Sequence, residues 1–80
     1  MEVSVRNRDI GVMKIHGVTH IDGHQTVAFE TEAGQLIAYL YDDGSLFVED
    51  PEYPKLRYNV ERFRPLLMEG IEKWRAELPA

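Results

Sequence analysis

The stretch VMKIHGVTHIDGHQTVAFETEAGQLIAYLYDDGSLFV, residues 12–48, decides the fold. Three turn signals, Asp22-Gly23, Ala33-Gly34 and Asp42-Asp43-Gly44, divide it into runs in which β-branched and aromatic residues alternate with polar ones. Such runs, joined by short glycine-containing turns, read as three consecutive β-hairpins. In a hairpin the loop length sets the register, and a slip of one residue exchanges the two faces of a strand.

For the first hairpin, a two-residue loop pairs Ile21 with His24 and mixes apolar with polar residues on each side. A three-residue loop over Asp22-Gly23-His24 pairs Ile21 with Gln25, Ile15 with Thr31 and Met13 with Ala33. The second register collects Met13, Ile15, Ile21, Val27 and Phe29 on one face. It also sets His16 across from Glu30 and Lys14 across from Glu32, so opposite charges meet, and it is the expected one. The Ala33-Gly34 turn then brings Thr31 opposite Leu36, Phe29 opposite Ala38 and Val27 opposite Leu40. A three-residue loop with Gly44 in the left-handed region sets Leu40 against Leu46 and Ala38 against Val48. The reverse of that last hairpin gathers Ile37, Tyr39, Tyr41 and Phe47, a second apolar face.

Outward from this core, Val3 and Val5 alternate as a short half-buried strand. The apolar parity then changes near Gly11, where a bulge or kink is expected. After Glu49 the run Asp50-Pro51-Glu52-Tyr53-Pro54 cannot continue a central strand, because each proline lacks a ladder N–H. Asn59 is placed to cap a first turn. Pro65 inside a continuous helix would cost about 3 kcal/mol, so the regular helix is expected to begin there and to stop at Pro79. Leu67, Ile71, Trp74 and Leu78, with Phe63 one turn earlier, draw its apolar stripe.

The expected architecture is α+β: a four- or five-stranded, mainly antiparallel meander with one C-terminal helix on the Val27, Phe29, Leu40, Leu46 face. Residues 1–80 form a single domain, with strands near 2–6, 11–21, 25–32, 36–41 and 45–49, a crossover over 50–58 and a helix over 65–78. Trp74 and Tyr39 should lie on opposite sides of the sheet. A small SH3-like barrel with an appended helix is the alternative.

At 80 residues only about 60% of the unfolded surface can be buried, and without cysteine neither disulfide nor thiolate metal site adds stability. The opening residues lack the apolar core of a signal peptide, and no apolar run approaches the roughly 20 residues that span a bilayer. A soluble cytoplasmic protein is expected. The net charge of −5 is uneven: residues 1–50 hold Arg6, Arg8 and Lys14 against nine acids, whereas residues 51–80 hold six bases against five acids.

Candidate chemistry is sparse. His16, His20 and His24 are spaced like helical zinc ligands, but on a strand four residues span about 13 Å, so His16 and His20 cannot share an ion. His16 with Glu30 lacks a third ligand. The acids Asp42, Asp43, Glu49, Asp50 and Glu52 do not follow a calcium-loop pattern; Ser4 and Ser45 fall in a strand and a turn, cysteine is absent, and no Gly-rich phosphate loop precedes a helix. No cofactor is implied. Lys55, Arg57, Tyr58, Arg62 and Arg64 form the one basic, aromatic segment, suited to a nucleic-acid strand or another anion.

The functional expectation is therefore a non-catalytic protein–protein interaction or regulatory protein, homodimeric through Ile37, Tyr39, Tyr41 and Phe47. Immunity proteins, antitoxin-like inhibitors and accessory subunits are the kinds of protein that fit. A nucleic-acid-binding module using residues 55–64 is the second reading. A small enzyme with its site at a dimer interface is the third.

Overall fold

The computed structural model describes residues 1–52 and 60–78. Five strands form one antiparallel sheet in chain order: β1 Val3–Asn7, β2 Gly11–Ile21, β3 His24–Thr31, β4 Gly34–Tyr41 and β5 Leu46–Glu49. A 3-10 turn, Val60–Phe63, leads into the helix α1, Arg64–Glu77. The α+β meander is thus the fold. The sheet stays open, since β1 pairs only with β2 and β5 only with β4, and it does not close into a barrel.

Local chemistry closes each turn. The Ile10 N–H donates to Asn7 Oδ1 at 2.8 Å, and Gly11 follows at φ +84°, so the kink expected there is the end of the β1–β2 turn. The Ala33 N–H donates to Thr31 Oγ1 at 3.1 Å, and the Ser45 N–H donates to Asp43 Oδ1 at 2.8 Å. That last bond holds the Asp43 carboxyl below the ordinary aspartate range. Gly44 at φ +93° takes the left-handed position, and the third hairpin has the expected register, Leu40 with Leu46 and Ala38 with Val48.

The other two hairpins correct the sequence reading. The first has a two-residue turn, Asp22-Gly23, so Ile21 pairs with His24, Ile15 with Phe29 and Lys14 with Glu30. Gly23 at φ +90° supplies the turn's one left-handed residue. A bulge between Ile15 and Gly17 inserts His16 as an extra residue in β2 and reverses the strand's parity beyond it. Val18 therefore packs against the core, whereas Ile21, expected inside, is 51% exposed on the opposite face. In the second hairpin Thr31 pairs with Gly34, Phe29 with Leu36 and Val27 with Ala38, two residues away from the expected pairing. A slip of two preserves parity, so the faces of β3 and β4 are as expected.

The core lies between the sheet and α1. Val3, Val5, Met13, Ile15, Val27, Phe29, Leu36, Ala38, Leu40, Leu46 and Val48 meet Phe63, Leu66, Leu67 and Ile71. Each fully buried large side chain, such as Phe29, Ile15 or Leu66, contributes about 1.5–3 kcal/mol relative to exposure. The helix lies over β1 and β2, while the 3-10 turn reaches β5 and sets the Phe63 ring 5.7 Å from Phe29. Pro65 falls at the second helical position, one later than expected, where its missing N–H costs no intrahelical bond. The buried stripe also differs: Leu66 and Gly70 belong to it, Trp74 is half-buried at its margin, and Leu78 is exposed. Lys73 Nζ donates to the Ser4 carbonyl at 2.8 Å, covering part of the open β1 edge. No helix among the described residues is long and apolar enough to cross a membrane.

Candidate functional site: the helix-free face of the sheet

With α1 on one side, strand alternation sends the remaining side chains of the sheet to the other. Trp74 packs with the core on the helix side, and Tyr39 stands on the opposite side. Ile37, Tyr39, Tyr41 and Phe47, named from the sequence, come together there on neighbouring strands, with Ile37 across from Glu49 and Tyr39 across from Phe47. Phe47 is 59% exposed and Tyr41 39%, so large aromatic surface lies open on this face.

The aromatic groups form one connected cluster. Tyr41 and Phe47 meet edge to face at 5.7 Å between ring centroids, and His24 stacks on Tyr41 at 5.1 Å and reaches Tyr39 at 6.2 Å. The Tyr39 hydroxyl donates to Glu49 Oε1 at 2.8 Å. That bond, then partial burial, then the charge of Glu49 hold the Tyr39 pKa above the ordinary tyrosine value.

Sequence reasoning missed two parts of this face. Ile21 and His24 belong to it because the Asp22-Gly23 turn has two residues. Gly17 and Thr19 belong because the His16 bulge reverses β2, and they pair with Ala28 and Thr26 of β3. The face is consequently uneven. Gly17, Thr19, Thr26 and Ala28 make a low shelf over β2 and β3, and Ile37, Tyr39, Tyr41 and Phe47 make a ridge over β4 and β5. The possible signals were the Asp-Gly pair, typical of two-residue hairpins, and Gly17 within a strand, typical of bulges.

Charge is uneven as well. Arg6 and Lys14 stand on the β1–β2 border of this face, and neither has an ion-pair partner among the described residues. His16, in the bulge beside them, lies 3.8 Å from Glu2 and 3.5 Å from Glu30. The opposite border carries Glu49, with the exposed Glu52 just beyond the end of β5.

The other sequence-named groups do not join this face. Among the described residues no group of three His, Cys, Asp or Glu is placed to hold a metal ion. Lys55, Arg57 and Tyr58 lie outside the described residues, as do Tyr53, Pro54, Asn59 and Pro79. Arg62 is held by Asp9, with Nε 3.3 Å from Oδ2 and Nη2 3.2 Å from the carbonyl, and lies over the Phe63 ring. Arg64 makes a two-pronged pair with Glu61 at 2.8 and 2.9 Å, which lowers the Glu61 pKa. Both arginines are thus occupied within the chain.

Comparison with protein-family models, with curated proteins and with solved structures found no match to this chain.

Proposed function

We propose that this is a non-catalytic interaction protein that works by protein–protein contact through the helix-free face, and that its principal partner is a second copy of itself. The single observation carrying this reading is the exposure of Ile21, Tyr41 and Phe47 on one continuous face, beside Ile37 and Tyr39. The helix already covers the other side of the sheet, so nothing within the described residues is left to cover this one. Tyrosine and phenylalanine are enriched in the centres of protein interfaces, where an apolar body is buried and a hydroxyl finds a partner.

Sedimentation velocity tests the reading. The unaltered chain is expected to sediment as a dimer, and Tyr39→Asp as a monomer with an unchanged circular dichroism spectrum. A folded monomer in both cases overturns it.

A further inference from the structure

The contact face is complementary to itself about only one of the two simple two-fold axes. Consider two sheets packed face to face about 10 Å apart, the usual separation. A two-fold axis across the strands sets β4 on β4 and β5 on β5. The Tyr39, Tyr41 and Phe47 ridges then collide while the Gly17, Thr19, Thr26 and Ala28 shelves face each other over a void. An axis along the strands, between β3 and β4, exchanges β3 with β4 and β2 with β5. Each ridge then drops onto the partner's shelf.

The cross-strand rows make this specific. Ile37 shares its row with Ala28 and Gly17, Tyr39 shares its row with Thr26 and Thr19, and Tyr41 shares its row with His24 and Ile21. Under the strand-parallel axis Ile37 of one copy covers Ala28 of the other, Tyr39 covers Thr26, and Phe47 covers Thr19. Large groups face small ones in these three pairs, the condition for packing at interior density, while Tyr41 of each copy meets His24 of the other ring against ring.

Charge follows the same exchange. Lys14 and Glu30 share a row with Gln35, so Glu30 faces Gln35 of the other copy, a carboxylate against an amide donor. Lys14 of β2 comes over the end of β5 of the other copy, one row from Glu49 and next to Glu52, while Glu49 itself faces Gly17. Because a two-fold contact is made twice, each favourable pairing is doubled.

We infer that two copies dock as an aligned sheet-on-sheet sandwich about a strand-parallel two-fold axis, the Ile37, Tyr39, Phe47 ridge of each lying on the Gly17, Thr19, Thr26, Ala28 shelf of the other. This rests on the reading of the helix-free face as the contact surface, and adds which part of the second copy fills it.

Ala28→Trp separates the two claims. Alanine is exposed there, and tryptophan is at home in a strand, so the fold should survive. Filling the shelf should weaken the dimer by about tenfold to a hundredfold in Kd, as overpacking does. A Kd that is unchanged or tighter, with Tyr39→Asp still monomeric, overturns the ridge-on-shelf docking and leaves the contact face standing. A monomeric unaltered chain overturns both.

A second measurement does not depend on that variant. The chain has no cysteine, so Thr19→Cys and Ser45→Cys each introduce a single thiol. The ridge-on-shelf arrangement brings β2 of one copy over the β5 side of the other. A short bismaleimide should therefore link the mixture of the two variants but neither variant alone. Linking of Thr19→Cys to itself, or no linking of a dimeric mixture, overturns the docking.

Discussion

Gly70 of α1 sits directly on Ile15 of β2, so close that a Cβ at position 70 would overlap the Ile15 side chain and touch Val5. This contact fixes the height of the helix over the sheet. It also explains a glycine in the middle of a helix, where alanine would normally be favoured by about 1 kcal/mol. Gly70→Ala is therefore expected to destabilise, by about 1–3 kcal/mol, despite its better helix propensity. Ile15→Val removes the overlapping Cδ1, so the double variant should recover part of the loss. Urea unfolding of the four chains in the cycle checks this through the sign of the coupling.

The Tyr39 hydroxyl bond to Glu49 gives a prediction at alkaline pH. A tyrosine whose folded pKa lies above its unfolded value adds stability that is fully present below the unfolded pKa of about 10. That stability is lost as pH rises through the folded pKa. Tyrosinate absorbance, with Tyr39→Phe to assign the step, should show Tyr39 ionising above the ordinary tyrosine range. Glu49→Gln should bring the step down, because it removes the charge and weakens the acceptor.

Two glycines of the sheet should answer differently to the same substitution. Gly44 has φ +93° in the third turn, where an added Cβ strains the backbone. Gly17 has no such φ, and an added Cβ there meets nothing within 4 Å. Gly44→Ala is expected to cost about 1 kcal/mol, with Gly44→Asn better tolerated. Gly17→Ala should be neutral or slightly stabilising. Thermal unfolding of the three variants in the Tyr39→Asp background, where no second copy lies over Gly17, checks the contrast.

The hairpin register is open to a similar comparison. Ile15 is fully buried, whereas Ile21 is half exposed on the other face. Ile15→Ala should cost about 2–5 kcal/mol, and Ile21→Ala about 0.5 kcal/mol or less. Denaturant unfolding in the Tyr39→Asp background keeps self-association out of the measurement. A large loss at Ile21 would favour the three-residue loop instead of the bulged strand.

Legibility in the sequence varied from hairpin to hairpin for physical reasons. Asp42-Asp43-Gly44 carries its own geometry, a capping aspartate and a left-handed glycine, so the register of β4 with β5 followed from it. The second hairpin has Gly34 as the first strand residue after Glu32-Ala33 and not within the turn. That error moved every partner by two while leaving the faces intact. The first hairpin failed at His16. Charge pairing with Glu30 is satisfied both by the expected register and by the bulged one, so it did not discriminate. Gly17 within the strand was the sequence sign of the extra residue, and the backbone places it at His16.

The same bulge explains why half of the contact face was not legible. The Ile37, Tyr39, Tyr41, Phe47 ridge follows from alternation along β4 and β5. The shelf depends on Gly17 and Thr19 turning outward, which the unbulged strand forbids. On the helix, a stripe drawn through Trp74 and Leu78 overlooked Leu66 and Gly70, because a small residue on the buried face carries no hydrophobic signal.

Sedimentation equilibrium of the unaltered chain over a concentration series bears most directly on the central claim, that the helix-free face is covered by a second copy. The account predicts a mass approaching twice that of the chain, falling toward the single-chain mass on dilution. A single-chain mass at every concentration would contradict it.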